Sequence, residues 1–228
     1  KALASEENTI DIHHAGTAMR FLTAYFASKN GRNVVLTGSH RMKERPIEIL
    51  VDGLNQLGAE ISFLETHGCP PLDIKGKTLT KCRVTLNANV SSQYISALLL
   101  IASRLENGLE LTLEGEITSI PYINMTLDLL NQVGIKTTFK GQVIVVKPQM
   151  DALKITQLTV ESDWSSASYF YSIVALSTVG TEIELSSYKK ESLQGDSALA
   201  DIYTSFGVET IFRGGSIRLK KIKDKLSD

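Results

Sequence analysis

Hydroxyls and glycines in this chain gather in short runs that open helices: Ala15-Gly16-Thr17, Ser91-Ser92-Gln93 and Ser165-Ser166-Ala167. A hydroxyl in such a place caps free backbone N–H groups, a contribution of about 1 kcal/mol. The same N–H groups, with the positive end of the helix dipole, also make a site for an anion. Taken singly, each run reads as capping. Their recurrence favours the anion reading, because equivalent helix ends facing one cleft would converge on one phosphate. Arg41, Lys43 and Arg45 fall within five residues, and that spacing alone reads as a solvated turn. Pro46, however, suits the first position of a helix and would fix the backbone beside Arg45. The Arg45 guanidinium could then present its planar fork to a carboxylate or phosphate. In Ser119-Ile120-Pro121-Tyr122, a hydroxyl and a phenol suit a polyhydroxylated ligand, or equally a cap beside a half-buried Tyr.

Composition narrows the setting. With 228 residues, 43% hydrophobic and 21% charged, the chain can bury one large core or two smaller ones. The formal net charge of -1 gives no overall case for nucleic acid or an anionic membrane, so cations that hold an anion must be concentrated locally. Cys69 and Cys82 are not spaced as a metal knuckle or redox pair and read as reduced thiols of a cytoplasmic protein. No apolar run reaches the roughly 18 residues of a membrane span. No secretory signal opens the sequence, and a start at Lys1 without Met reads as a cut from something longer.

The elements that must position these residues come three times over. Thr17, Ser92 and Ser166 are 75 and 74 residues apart. Each opens an apolar helix, and each helix is followed by a strand: Val34 to Thr37, Leu109 to Leu113 and Thr181 to Leu185. A second helix follows in every copy, Pro46–Leu57, Pro121–Val133 and Asp196–Phe206, each stopped by a glycine, at Gly58, Gly134 and Gly207. Period-two segments at 59–63, 135–139 and 208–212 read as half-buried strands. Short strands close the copies at 72–74, 143–146 and 216–219, and others open them at Thr9–Ile12, Arg83–Leu86 and Leu158–Val160. The fold class is therefore α/β, built from strand-helix-strand-helix-strand-strand (βαβαββ) units. This repeat is too long for a solenoid turn.

These residues carry a family likeness. His14-Ala15-Gly16-Thr17-Ala18-Met19-Arg20 is similar to the Asn-Ala-Gly-Thr-Ala-Met-Arg motif of enolpyruvyl-shikimate-phosphate synthases. Leu36-Thr37-Gly38 with Arg41-Met42-Lys43-Glu44-Arg45-Pro46 is closer still. Ser91-Ser92-Gln93, Ser119 with Pro121-Tyr122, Ser165 to Phe170 and Leu193-Gln194-Gly195-Asp196 follow in the family's order. The resemblance implies an inside-out α/β barrel with two lobes of three units each and the site in the cleft between them. It implies two units of the first lobe in residues 1–156 (1–78 and 79–156) and the first unit of the second lobe in 157–228. It further implies transfer of the enolpyruvyl group from phosphoenolpyruvate to the 5-hydroxyl of shikimate 3-phosphate, releasing phosphate by addition and elimination. No cofactor or metal is implied, and the full-length protein is expected to be a cytoplasmic monomer that binds neither nucleic acid nor membrane.

By the same resemblance, Gly16, Arg45 and Gln93 contact phosphoenolpyruvate, and Thr17 shapes that site. Ser91, Ser92, Ser119 and Tyr122 hold the shikimate phosphate, with Gln93 placed to reach both ligands. Arg20 is assigned to structure before ligand contact. His14 replaces the family's usual Asn, and a neutral imidazole can replace one amide donor or one acceptor but not both. The family's Lys-Ser-x-Ser segment would precede Lys1, and its catalytic Asp and later Lys and Arg residues would follow Asp228. No catalytic residue is therefore assigned within this chain, which reads as a truncated form inactive by itself. The alternatives are the related enolpyruvyl transferase acting on UDP-N-acetylglucosamine and a non-catalytic module that binds phosphorylated ligands.

Overall fold

The computed structural model describes residues 3, 6–118, 120–149, 151 and 157–224. They belong to two compact units, Lys1–Ile155 and Thr156–Asp228. The first unit opens with β1 (Thr9–Asp11), α1 (Gly16–Ala27), β2 (Asn33–Thr37), α2 (His40–Lys43), α3 (Glu48–Gln56), β3 (Glu60–Phe63) and β4 (Leu72–Lys75). It continues with β5 (Arg83–Asn87), α4 (Ser92–Ala102), β6 (Leu109–Glu114), α5 (Ile120–Gln132), β7 (Thr137–Lys140) and β8 (Val143–Val146). The strands form two sheets of the same connectivity, β1-β2-β4-β3 and β5-β6-β8-β7. In each the first pair is parallel and the rest antiparallel. A parallel pair needs a crossover, which α1 and α4 supply.

Burial follows from the side chains. Helix α1 buries Met19, Arg20, Thr23, Ala24, Phe26 and Ala27, a helical-period face. Helix α4 is apolar nearly all round and buries Tyr94 through Leu99 together with Ile101 and Ala102. It packs against α1, α3 and α5, so one continuous core runs from Leu36 and Ile74 of the first sheet to Leu111 and Ile144 of the second. The two second helices end as the sequence predicts, with Gly58 at φ 97° and Gly134 at φ 89°. The Arg41–Pro46 segment differs from the solvated turn that spacing suggests. Part of it winds into α2, because Met42 buries its side chain to 2% exposure and leaves Arg41 outside.

The second unit contains α6 (Trp164–Leu176), β9 (Glu182–Ser186), α7 (Leu199–Ile202), β10 (Val208–Arg213) and β11 (Ser216–Lys221). Its sheet is antiparallel, in the order β10-β11-β9. The strand expected at Leu158–Val160 does not form. Val160 is 71% exposed, and the chain meets the end of β9 only at Ser162, whose Oγ donates to the Ser186 carbonyl and whose N–H donates to the Ser187 carbonyl just beyond. Without an apolar face to cover, pairing there has little to stabilise it. The helix expected over 196–206 breaks into α7 flanked by 3-10 turns at Gly195–Ala198 and Tyr203–Phe206. Ser and Thr are poor helix formers, and here the Thr204 and Ser205 hydroxyls bond back to the carbonyls of Ala200 and Ile202.

The second core is small and aromatic, with Trp164 and Tyr171 fully buried. Their polar tips are satisfied: Trp164 Nε1 donates to Glu161 at 2.9 Å, and the Tyr171 hydroxyl meets Thr210 Oγ1 at 2.8 Å. Lys221, 2% exposed, donates to the Ala175 and Phe206 carbonyls, where helix ends leave acceptors free. Asp163 caps α6, accepting from Ser166 Oγ and from the Ser165 N–H, and these bonds, the Ser166 hydroxyl first, hold its carboxyl below the usual Asp range. A lowered folded pKa gives stability that is present above the ordinary Asp range and lost as pH falls through the folded value. Asp163→Ala is expected to cost about 1 kcal/mol. Asp163→Asn should keep the cap but flatten the acid limb. Trp164, the single tryptophan, lies in this core, so fluorescence-monitored unfolding at a series of pH values measures both effects.

Candidate functional site

All the described candidate residues lie in the first unit, and they meet at one end of its helices. Packing of α1 against α4 brings the two helix starts together, where Gln93 Nε2 donates to Thr17 Oγ1 at 3.0 Å. Helix α4 is capped: Ser91 Oγ accepts from the Gln93 N–H at 3.4 Å. Helix α1 is not. Its N-cap is Ala15, which makes no side-chain bond to the first turn. The positive end of α1 is therefore left for an outside anion.

Arg45 supplies the opposing charge-binding group. A Cβ built on Gly16 would run into the Arg45 guanidinium, and would also come 3.0 Å from Arg20 Nη1. Glycine is thus required for the close approach of Arg45 to the α1 start. Beyond lies a depression of about 490 Å³ lined by His14, Arg41, Met42 and Arg45. His14 Nδ1 is 2.8 Å from Ser39 Oγ, which spends one ring nitrogen on the loop beside it. Lys43 pairs with Glu65 at 2.6 Å. Among the described residues no ion pair engages Arg41 or Arg45. The three-cation run therefore divides into one neutralised lysine and two arginines free to hold an anion.

A second depression, of about 530 Å³, takes Thr17 of the opening turn of α1 into its lining. Thr17, Ser91, Ser92, Gln93 and Tyr122 line it, with Tyr122 52% exposed at its rim. Ser119 lies outside the described residues. Behind these groups sit Ser96 and Thr126, whose buried hydroxyls are 2.7 Å apart. Neither was singled out in sequence, although each stands four positions after a chosen residue, Ser92 and Tyr122, on the same helix face. Arg41, too, has no sequence pattern of its own that marks it for the site.

The three helix starts that look alike in sequence are not equivalent. In the second unit Asp163 caps the helix, and Ser165 Oγ donates to Asp196 in a short hydrogen bond. Two carboxylates already occupy that helix start and oppose another anion. Among the described residues no group of three His, Cys, Asp or Glu side chains is placed to hold a metal ion, and no helix is long and apolar enough to cross a membrane.

An α/β scaffold that sets two arginines near an uncapped helix start brings together groups whose chemistry suits an anion. The sequence matches the EPSP synthase (3-phosphoshikimate 1-carboxyvinyltransferase) family over residues 1–226, and the chain belongs to that family. It is 50% identical over 222 residues to the 3-phosphoshikimate 1-carboxyvinyltransferase of Bacteroides fragilis strain YCH46, covering 97% of this chain and 53% of the relative. The protein of that name from Colwellia psychrerythraea is 41% identical over 207 residues, covering 90% and 47%. The solved EPSP synthase of Acinetobacter baumannii superposes with a TM-score of 0.71 at 23% identity, over 96% of this chain and 49% of that one, a likeness of fold. The chain spans about half the length of the curated relatives it matches.

Gly16→Ala is expected to displace the Arg45 side chain rather than the backbone, because the clash is with a flexible guanidinium. Titration with inorganic phosphate, followed by the amide resonances of 16–18 and 45, should show binding at least about tenfold weaker. The melting midpoint should move by only a few degrees.

Proposed function

We propose that this chain forms part of an enzyme that transfers the enolpyruvyl group of phosphoenolpyruvate to the 5-hydroxyl of shikimate 3-phosphate, releasing phosphate. The observation that carries this reading is the uncapped start of α1 set against the Arg45 guanidinium, tied by the Thr17–Gln93 bond to the hydroxyls of Ser91 and Ser92. Gly16, Arg45 and Gln93 take phosphoenolpyruvate, with Thr17 shaping the contact. Ser91, Ser92, Ser119 and Tyr122 take the phosphate of the sugar acid.

The chemistry proceeds by protonation of the enol double bond and attack of the 5-hydroxyl, then loss of phosphate and a proton from the tetrahedral adduct. Fixed donors and cations serve such a path by stabilising oxygens on which charge resides or develops. The groups here bind and orient, and none is assigned to proton transfer. Residues 1–78 and 79–156 are two βαβαββ units of one lobe, and 157–228 is the first unit of the other. The exposed apolar stripe of Tyr169, Ile173 and Leu176 on α6 supports that arrangement, since α4 in the first unit is covered on its corresponding faces.

The test uses a protein of the relatives' full length that carries this chain. Phosphate release from phosphoenolpyruvate should depend on shikimate 3-phosphate, and Arg45→Gln should lower kcat/KM by about 100-fold. Binding of both ligands without turnover would favour a non-catalytic module, and binding of neither would overturn the assignment. The 228-residue chain alone should show no turnover.

A further inference from the structure

Arg20 is 6% exposed, and its Nε is the one buried side-chain nitrogen or oxygen among the described residues without a hydrogen-bond partner. Its Nη1 donates to the Gly16 carbonyl at 2.8 Å, and its guanidinium carbon stands 5.9 Å from the centroid of the Tyr94 ring. Among the described ion pairs none engages it. A cation buried without a carboxylate is costly, and a site that served stability alone would gain from an apolar side chain there. Two threads lead from Arg20. One ends at Gly16, where the chain approaches Arg45. The other crosses to α4, where the Tyr94 hydroxyl donates to the Pro46 carbonyl at 2.7 Å, one residue beyond Arg45.

We propose that Arg20 is a positioning residue that sets the spacing between the α1 start and Arg45, acting through the Gly16 carbonyl and the Tyr94 ring. Its guanidinium and that of Arg45 both border the space a Gly16 side chain would fill. Like charges so close repel, so a fixed Arg20 turns Arg45 outward to the depression. Its uncompensated charge also adds to the field at the anion site without touching the ligand. The inference deepens the functional reading above and rests on it for its purpose, but its geometry can be tested without a ligand.

The experiment compares Arg20→Gln, Arg20→Lys and Tyr94→Phe with the parent 228-residue chain by amide hydrogen exchange and by titration with phosphoenolpyruvate. Arg20→Gln should speed exchange by roughly tenfold at Met19, Arg45 and Ile47, whose N–H groups are hydrogen-bonded, leaving β5 to β8 unchanged. Tyr94→Phe keeps the ring and should loosen only Arg45 and Ile47, so the inference stays testable should Arg20→Gln fail to fold. Arg20→Lys keeps the charge and should recover part of the protection. Uniform loss across the first unit, or no change at Arg45 and Ile47 in either variant that folds, would overturn the proposal. A parent chain that binds no phosphoenolpyruvate counts against the functional reading alone. Where it does bind, Arg20→Gln should weaken it, and equal affinity would overturn the positioning role.

Discussion

Helix α4 is apolar on nearly every side, and such a helix is stable in water only when neighbours cover it. In the first unit α1, α3 and α5 do so, and the core of two sheets closes around them. That burial aligns the starts of α1 and α4 at one end. The Thr17–Gln93 bond, the two depressions and the approach of Arg45 to Gly16 all follow from it. The site depends on this packing more than on any single polar contact, since each surface hydrogen bond contributes only about 1 kcal/mol.

Charge is then sorted by local pairing. A chain of net charge -1 cannot attract phosphate by its overall field. Glu65 neutralises Lys43, while Arg41 and Arg45 face the depression with no carboxylate partner among the described residues. In the second unit Asp163 and Asp196 take the place an anion would have. Helix starts that look alike thus end in different electrostatic settings, α1 without a side-chain cap and α6 with two carboxylates at its first turn. The difference lies in residues 31 positions apart, Ser165 and Asp196, which only folding brings together.

Much of the fold was legible in the sequence because its periodicities are local. The apolar runs after Gly16, Ser92 and Trp164 became α1, α4 and α6, and glycines 58 and 134 stopped their helices where the left-handed conformation was needed. Failures fell where local preference met no tertiary support. Leu158 and Val160 alternate as a strand should, yet lie open to solvent; residues 196–206 carry a helical pattern that Ser and Thr back-bonding interrupts. Met42 worked in the other direction, its burial winding a helical turn from a run of cations.

By itself the sequence determined the α/β class, the order of the elements and the residue types at the helix starts, because backbone preference and hydrophobic period act over a few neighbouring positions. It also carried the family likeness. Which helix start stays uncapped, which arginines remain without a carboxylate, and how Arg20 reaches Pro46 through Tyr94 were decided by the tertiary structure. Those properties depend on distances between residues up to 76 positions apart, which no local pattern encodes.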